Sequence, residues 1–125
     1  MGGNVGVQSS SIAIRGLATG EIKITEFKSR LFKELQGSLL TGAIVSLSLA
    51  CIIQLVTSKT IFAVSCGIAM YSVTIFAAFI GAAIPFILKR LDLDPAIASG
   101  PFVTTSNDII GTFIYFTIAN ILIFK

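Results

Sequence analysis

TIFAVSCGIAMYSVTIFAAFIGAAIPFIL, residues Thr60 to Leu88, runs for 29 residues without a charged side chain. A helix needs about 20 apolar residues to cross the hydrocarbon of a bilayer, so this stretch reads as a transmembrane helix longer than the membrane demands. It therefore tilts, or bends near Gly67, Gly81 or Pro85. On its amino-terminal side, Gln36 to Ser58 is free of charge for 23 residues and makes a second span. On its carboxy-terminal side, Pro95 to Phe124 makes a third, interrupted by charge only at Asp108. The whole composition agrees: 54 % hydrophobic, 12 % charged and a mean hydropathy of +0.94 leave too few charges to cover a water-facing surface. The expected fold class is all-α, a polytopic membrane helix bundle of about three full spans plus an amino-terminal partial span and an amphipathic connector. Residues 1–125 form a single transmembrane domain.

The partial span is Gly2 to Gly20, rich in glycine and serine. Asn4, Gln8, Ser11 and Arg15 recur at i, i+4, i+7 and i+11, which places them on one helix face. A polar stripe of this kind belongs to a helix with one side on lipid and the other on partner helices or water. The segment lacks the basic start and compact apolar core of a signal peptide. Between it and the next span, Ile24, Phe27, Leu31 and Leu35 keep helical spacing while Lys23, Lys28, Arg30 and Lys33 supply charge, an amphipathic and basic connector over Glu21 to Leu35. The positive-inside rule puts that connector in the cytoplasm, the Lys59 turn outside, Lys89 and Arg90 inside, and Lys125 outside. The net charge of +3 is thus explained by topology rather than by nucleic-acid binding.

Chemistry is bounded by what the chain lacks. It has no histidine, and its two cysteines, Cys51 and Cys66, lie in separate apolar stretches, so zinc and disulfide frameworks are excluded. A metal handled here must accept oxygen ligands, which points to hard cations such as Mg²⁺. Asp108 is the candidate ligand. A charge at mid-membrane costs at least about 2.5 to 3.5 kcal/mol on insertion scales, and it normally faces a bundle interior or water. Thr104 and Thr105 lie one helical turn before it and Gly111 and Thr112 one turn after, a polar and small-residue stripe, while Asn107 is angled away. The competing structural explanation is pairing of Asp108 with Arg15. Asp94 followed by Pro95 reads as a helix N-cap, and together with Asp92 it stands at the cytoplasmic mouth of a path to Asp108, where negative charge gathers cations. Pro101 removes the hydrogen bond to the Ile97 carbonyl, so a kink there frees oxygen atoms. Gly2, Gly3 and Gly6 admit close helix contact.

The run Asp94-Pro95-Ala96-Ile97-Ala98-Ser99-Gly100-Pro101-Phe102-Val103-Thr104-Thr105-Ser106-Asn107-Asp108 resembles the last transmembrane helix of the MgtE family of magnesium channels and transporters, related to the animal solute carrier 41 proteins. Gly2-Gly3-Asn4-Val5-Gly6-Val7-Gln8-Ser9, with Arg15-Gly16-Leu17-Ala18 after it, is similar to that family's second transmembrane helix. The resemblance implies a plasma-membrane homodimer with five spans per protomer and a central pore for Mg²⁺ lined by the second and fifth helices. Asp108 matches the family's ion-coordinating pore aspartate and Asp94 the acidic position near the cytoplasmic mouth. Thr104 and Thr105 would complete the ion's outer shell, and Asn4, Gln8, Gly100, Pro101, Gly111 and Thr112 would line the pore. The chain is expected to be the carboxy-terminal part of such a membrane domain, without the first span and the cytoplasmic sensor that full-length bacterial members carry. Two other functions stay open: a small proton-coupled cation exporter, which also uses one membrane carboxylate, and a non-transporting assembly subunit. An enzyme is not expected, because no nucleophile and base pair is visible.

Overall fold

The computed structural model describes residues 1–98 and 100–123; the expected placing of Lys125 on the outer side lies outside the described residues. Four α-helices account for most of the chain: α1 (Gly2–Thr19), α2 (Phe27–Thr57), α3 (Thr60–Arg90) and α4 (Gly100–Ile123), with 3-10 turns at Ile24–Glu26 and Pro95–Ala98. The fold is an all-α membrane bundle, and three of these helical segments are long and apolar enough to cross a bilayer.

Helix α3 is the axis of the bundle. Half of its most apolar window is buried inside the protein, against 11 % for the second helical segment and 17 % for α4. The reason is its side chains: Ala63, Ala69, Ala77, Ala78, Ala82 and Ala83 are buried, and Gly67 and Gly81 add two positions with no side chain at all. In lipid, where apolar burial gives no drive between helices, small residues let backbones approach and gain dispersion contact instead. Gly67 receives Ala50 and the Ser46 carbonyl of α2, Gly42 of α2 receives Tyr71 and Thr74, and Phe27 meets Phe86 edge-on at 5.2 Å. On another side the backbones of Gly81 and Gly6 touch so closely that a Cβ at Gly81 would collide with the Gly6 carbonyl. Pro85 lies buried within α3, which runs on as one helix to Arg90.

The helix ends follow local rules. Ser58, at φ 53°, closes α2 and gives its N–H to the Gln54 carbonyl at 2.9 Å, so the α2–α3 hairpin turns on Ser58 and Lys59 alone. At the end of α3, Asp92 adopts φ 56°; its N–H bonds the Lys89 carbonyl at 3.3 Å and the Leu93 N–H bonds the Leu88 carbonyl at 2.9 Å. These two bonds form a Schellman cap, with aspartate in the left-handed place usually given to glycine.

Two expectations need correction. The amphipathic connector over Glu21 to Leu35 does not stand apart from the second span. Only the stretch before Phe27 is distinct, and the remainder is continuous with α2 because no proline or glycine interrupts the chain before Gly37. An i,i+4 ion pair from Arg30 to Glu34, 2.6 Å, also holds the helix together there. Its apolar face packs on the bundle itself, through Phe27, and at 31 residues α2 is about 46 Å long, longer than the hydrocarbon is thick. Pro101, likewise, does not kink a helix begun at Pro95. The turn Pro95–Ala98 and α4 are separate elements, and Pro101 sits in the first turn of α4, where its missing N–H is harmless. Just before α4, Ser10 of α1 donates to the Ala98 carbonyl at 2.8 Å.

Candidate ion site at the contact of the first and last helices

Helix α1 crosses α4 in the opposite direction, with Gly3 beside Asp108, Gly6 beside Asn107 and Val103, and Ser10 beside Ala98. This order explains the glycines. A Cβ at Gly3 would lie 2.7 Å from Asp108 Oδ1 and 2.9 Å from Thr104 Cγ2, and one at Gly6 would collide with Asn107 Nδ2. Gly2 sits on Val73 of α3. Small residues on α1 thus bring its backbone near enough for the Gly3 N–H to donate to Asp108 Oδ1 at 3.1 Å. That backbone donor fixes the direction in which the carboxylate points.

Three faces divide α4. Val103, Asn107 and Gly111 are buried toward α1 and α3; Thr105, Asp108 and Thr112 stand exposed in a polar strip; Phe102, Ile109, Phe113 and Phe116 form an exposed apolar face. Helix α1 has a matching polar face, where Asn4, Gln8, Ser11 and Arg15 are all exposed. Next to the carboxylate, a cavity of about 190 Å³ is lined by Gly2, Val73, Asn107, Asp108, Thr112 and Tyr115 among others.

The structure brings together Asp108, Thr104 and Thr112, and leaves Thr105 exposed beside them. Gly111 is buried, with Val73 Cγ1 only 3.0 Å from where its Cβ would stand, and it borders the same cavity as Asp108 and Thr112. Gly100 and Pro101 lie at the start of α4, two turns from Asp108, with open space around Gly100. Asp94 stands farther still, exposed at the α3–α4 connection, where its Oδ1 accepts the Ala96 N–H at 2.9 Å, the capping role expected of it. Arg15 does not pair with Asp108; twelve residues separate it from Gly3, about 18 Å along α1. Among the described residues no three carboxylate, cysteine or histidine side chains gather into a metal cage.

Two features escaped sequence reasoning. Asn107 is 1 % exposed, and neither its Oδ1 nor its Nδ2 has a hydrogen-bond partner among the described residues. Ser9 of α1 donates to Glu34 Oε2 at 3.0 Å, which joins α1 to the Glu34–Arg30 pair on α2. Helical spacing alone gave Asn107 a direction, away from Asp108, without saying that glycines of α1 would cover it.

A family model described as divalent cation transporter, MgtE, matches residues 1–118, which include both motifs of the α1–α4 contact. The chain belongs to the MgtE family. It is 36 % identical over 123 residues to the magnesium transporter MgtE of Bacillus subtilis and 34 % identical over 122 residues to that of Thermus thermophilus, each match covering 98 % of this chain and 27 % of the relative. The magnesium transporter MgtE of Enterococcus faecalis is 35 % identical over 118 residues, or 94 % of this chain and 26 % of the relative. The chain therefore spans about a quarter of the length of the curated MgtE relatives it matches.

Proposed function

We propose that this chain forms part of a Mg²⁺ pathway across the membrane, with Asp108 as the residue that holds the passing ion. The observation that carries this is the state of Asp108: a carboxylate in the first half of an apolar helix, exposed in a polar strip, aimed by the Gly3 N–H and, among the described residues, without a cationic side chain in salt-bridge contact. A charge so placed is costly in lipid and is stabilised by a water-filled space with a cation in it. Two copies facing each other across a twofold axis supply that space. Their α1 and α4 polar strips, from Asn4 to Arg15 and from Thr105 to Thr112, then meet across water rather than lipid, and the two Asp108 carboxylates offer a symmetric pair.

The chemistry suits Mg²⁺. It sheds its water reluctantly and is typically bound through one or two carboxylates while several waters stay in place. The Thr104, Thr105 and Thr112 hydroxyls supply oxygen atoms for those waters. Asp94, at the end of the bundle, raises the local cation concentration at the approach and takes no part in the pair. The family's Mg²⁺-transporting relatives support the choice of ion.

Asp108→Asn keeps the shape and removes the charge. Loss of one charge-assisted contact to the hydrated ion lowers Mg²⁺ uptake in a magnesium-transport-deficient cell by about tenfold or more, and growth rescue is lost with it. Hexammine cobalt, a mimic of the fully hydrated ion, blocks the parent protein. Uptake by the variant equal to that of the parent overturns the assignment.

A further inference from the structure

A second polar recess lies where α1 ends and α2 begins, at the other end of α1 from Asp108. It has a volume of about 630 Å³ and carries charges of both signs: Arg15, Arg30 and Lys33 on one hand, Glu21 and Glu26 on the other, with Ser29 between. Ile12 and Ile22 form its apolar wall. Arg30 gives Nη2 to Glu34 at 2.6 Å and also lines the recess, while its enclosed Nε has no acceptor among the described residues. Glu26 uses Oε2 on the Lys23 N–H at 3.3 Å and keeps its other oxygen.

The depth of the recess is set by the sequence. Lys33 stands three residues before the charge-free run of α2, about 4.5 Å along the helix, so the recess opens at the membrane–water boundary. From Lys33, Leu40, Ile44 and Leu47 follow at i+7, i+11 and i+14 on the same face, 67 %, 60 % and 66 % exposed. Gly37 lies between, with nothing within 4 Å of where a side chain would start. A mixed-charge recess thus continues into an apolar lane that descends into the hydrocarbon.

We propose that this surface binds an ethanolamine glycerophospholipid, with its phosphodiester on Arg15, Arg30 and Lys33, its primary ammonium on Glu21 and Glu26, and an acyl chain along Leu40, Ile44 and Leu47. Charge complementarity selects the headgroup. A purely anionic lipid would leave both carboxylates facing like charge, and a soluble phosphate compound would leave the lane unused. The inference rests on the membrane fold and is independent of the ion pathway.

Native mass spectrometry of the detergent-purified protein, offered phosphatidylethanolamine, phosphatidylglycerol and phosphatidylcholine of equal chain length, tests it. Retention of the ethanolamine lipid exceeds that of the glycerol lipid by about tenfold, the size of one charge-assisted hydrogen bond. Glu21→Gln with Glu26→Gln removes that preference while the lipid still binds; Lys33→Gln weakens retention of both lipids. All three side chains are exposed, and an unchanged melting temperature verifies that the variants fold. Preference for phosphatidylglycerol, or equal retention of all three lipids, overturns the proposal. So does displacement of bound lipid by millimolar phosphorylethanolamine, which would place a soluble ligand in the recess.

Discussion

Asn107 and Asp108 are adjacent on α4 and live in opposite surroundings. Asp108 was legible from sequence because a lone carboxylate in an apolar run has few places to go. Asn107 was not, because an amide in such a run is ordinary, and only the meeting with Gly6 makes it a buried group without a partner. The glycines of α1 were legible as sites of close approach, though not which side chain each one admits. Gly6→Ala forces its methyl into the Asn107 amide and destabilises the protein by about 1 to 3 kcal/mol, as overpacking does. Asn107→Ala in that background restores much of the loss, and a double-mutant cycle on thermal stability in detergent gives a coupling of about 0.5 to 3 kcal/mol. Simple additivity of the two changes would mean that the contact does not hold the helices together.

At the scale of elements, the spans and the Lys59 turn were readable from charge and length alone, since lipid admits so few backbone solutions. The connections were harder. Asp92 and Asp94 look alike in sequence as mouth-lining acids, yet Asp92 closes α3 in a left-handed conformation and Asp94 starts the following turn. A β-carbon in that conformation costs about 1 kcal/mol, so Asp92→Gly raises the thermal stability; a drop in melting temperature would show that the aspartate side chain is needed there. A kink was expected at Pro101, but Pro101 falls in the first turn of α4, and the turn before it is tied to another helix by Ser10 and the Ala98 carbonyl, a long-range pairing that no local pattern reveals. Ser10→Ala removes that buried hydrogen bond at a cost of about 0.5 to 1.5 kcal/mol, visible as earlier unfolding. An unchanged melting curve would mean that water takes the hydroxyl's place. The basic stretch after α1 reads in sequence as a connector apart from the second span, because helical spacing does not tell a separate amphipathic helix from the first turns of a longer one.

For the molecule as a whole, the exposed polar strips of α1 and α4 are its main departure from a lipid-facing surface. In a Cys51→Ser background, Thr105→Cys and Thr112→Cys are joined between copies by a short bis-thiol reagent in membranes, whereas Leu40→Cys, on the far side of α2, is not. Cross-linking at Leu40 alone would place the contact between copies elsewhere. The bridge from Ser9 through Glu34 to Arg30 matters at this scale too. The first turns of α2 reach past the hydrocarbon, and this bridge ties them by their side chains to the helix that carries Gly3. A displacement of that charged end therefore bears directly on α1, the helix whose Gly3 N–H meets the Asp108 carboxylate.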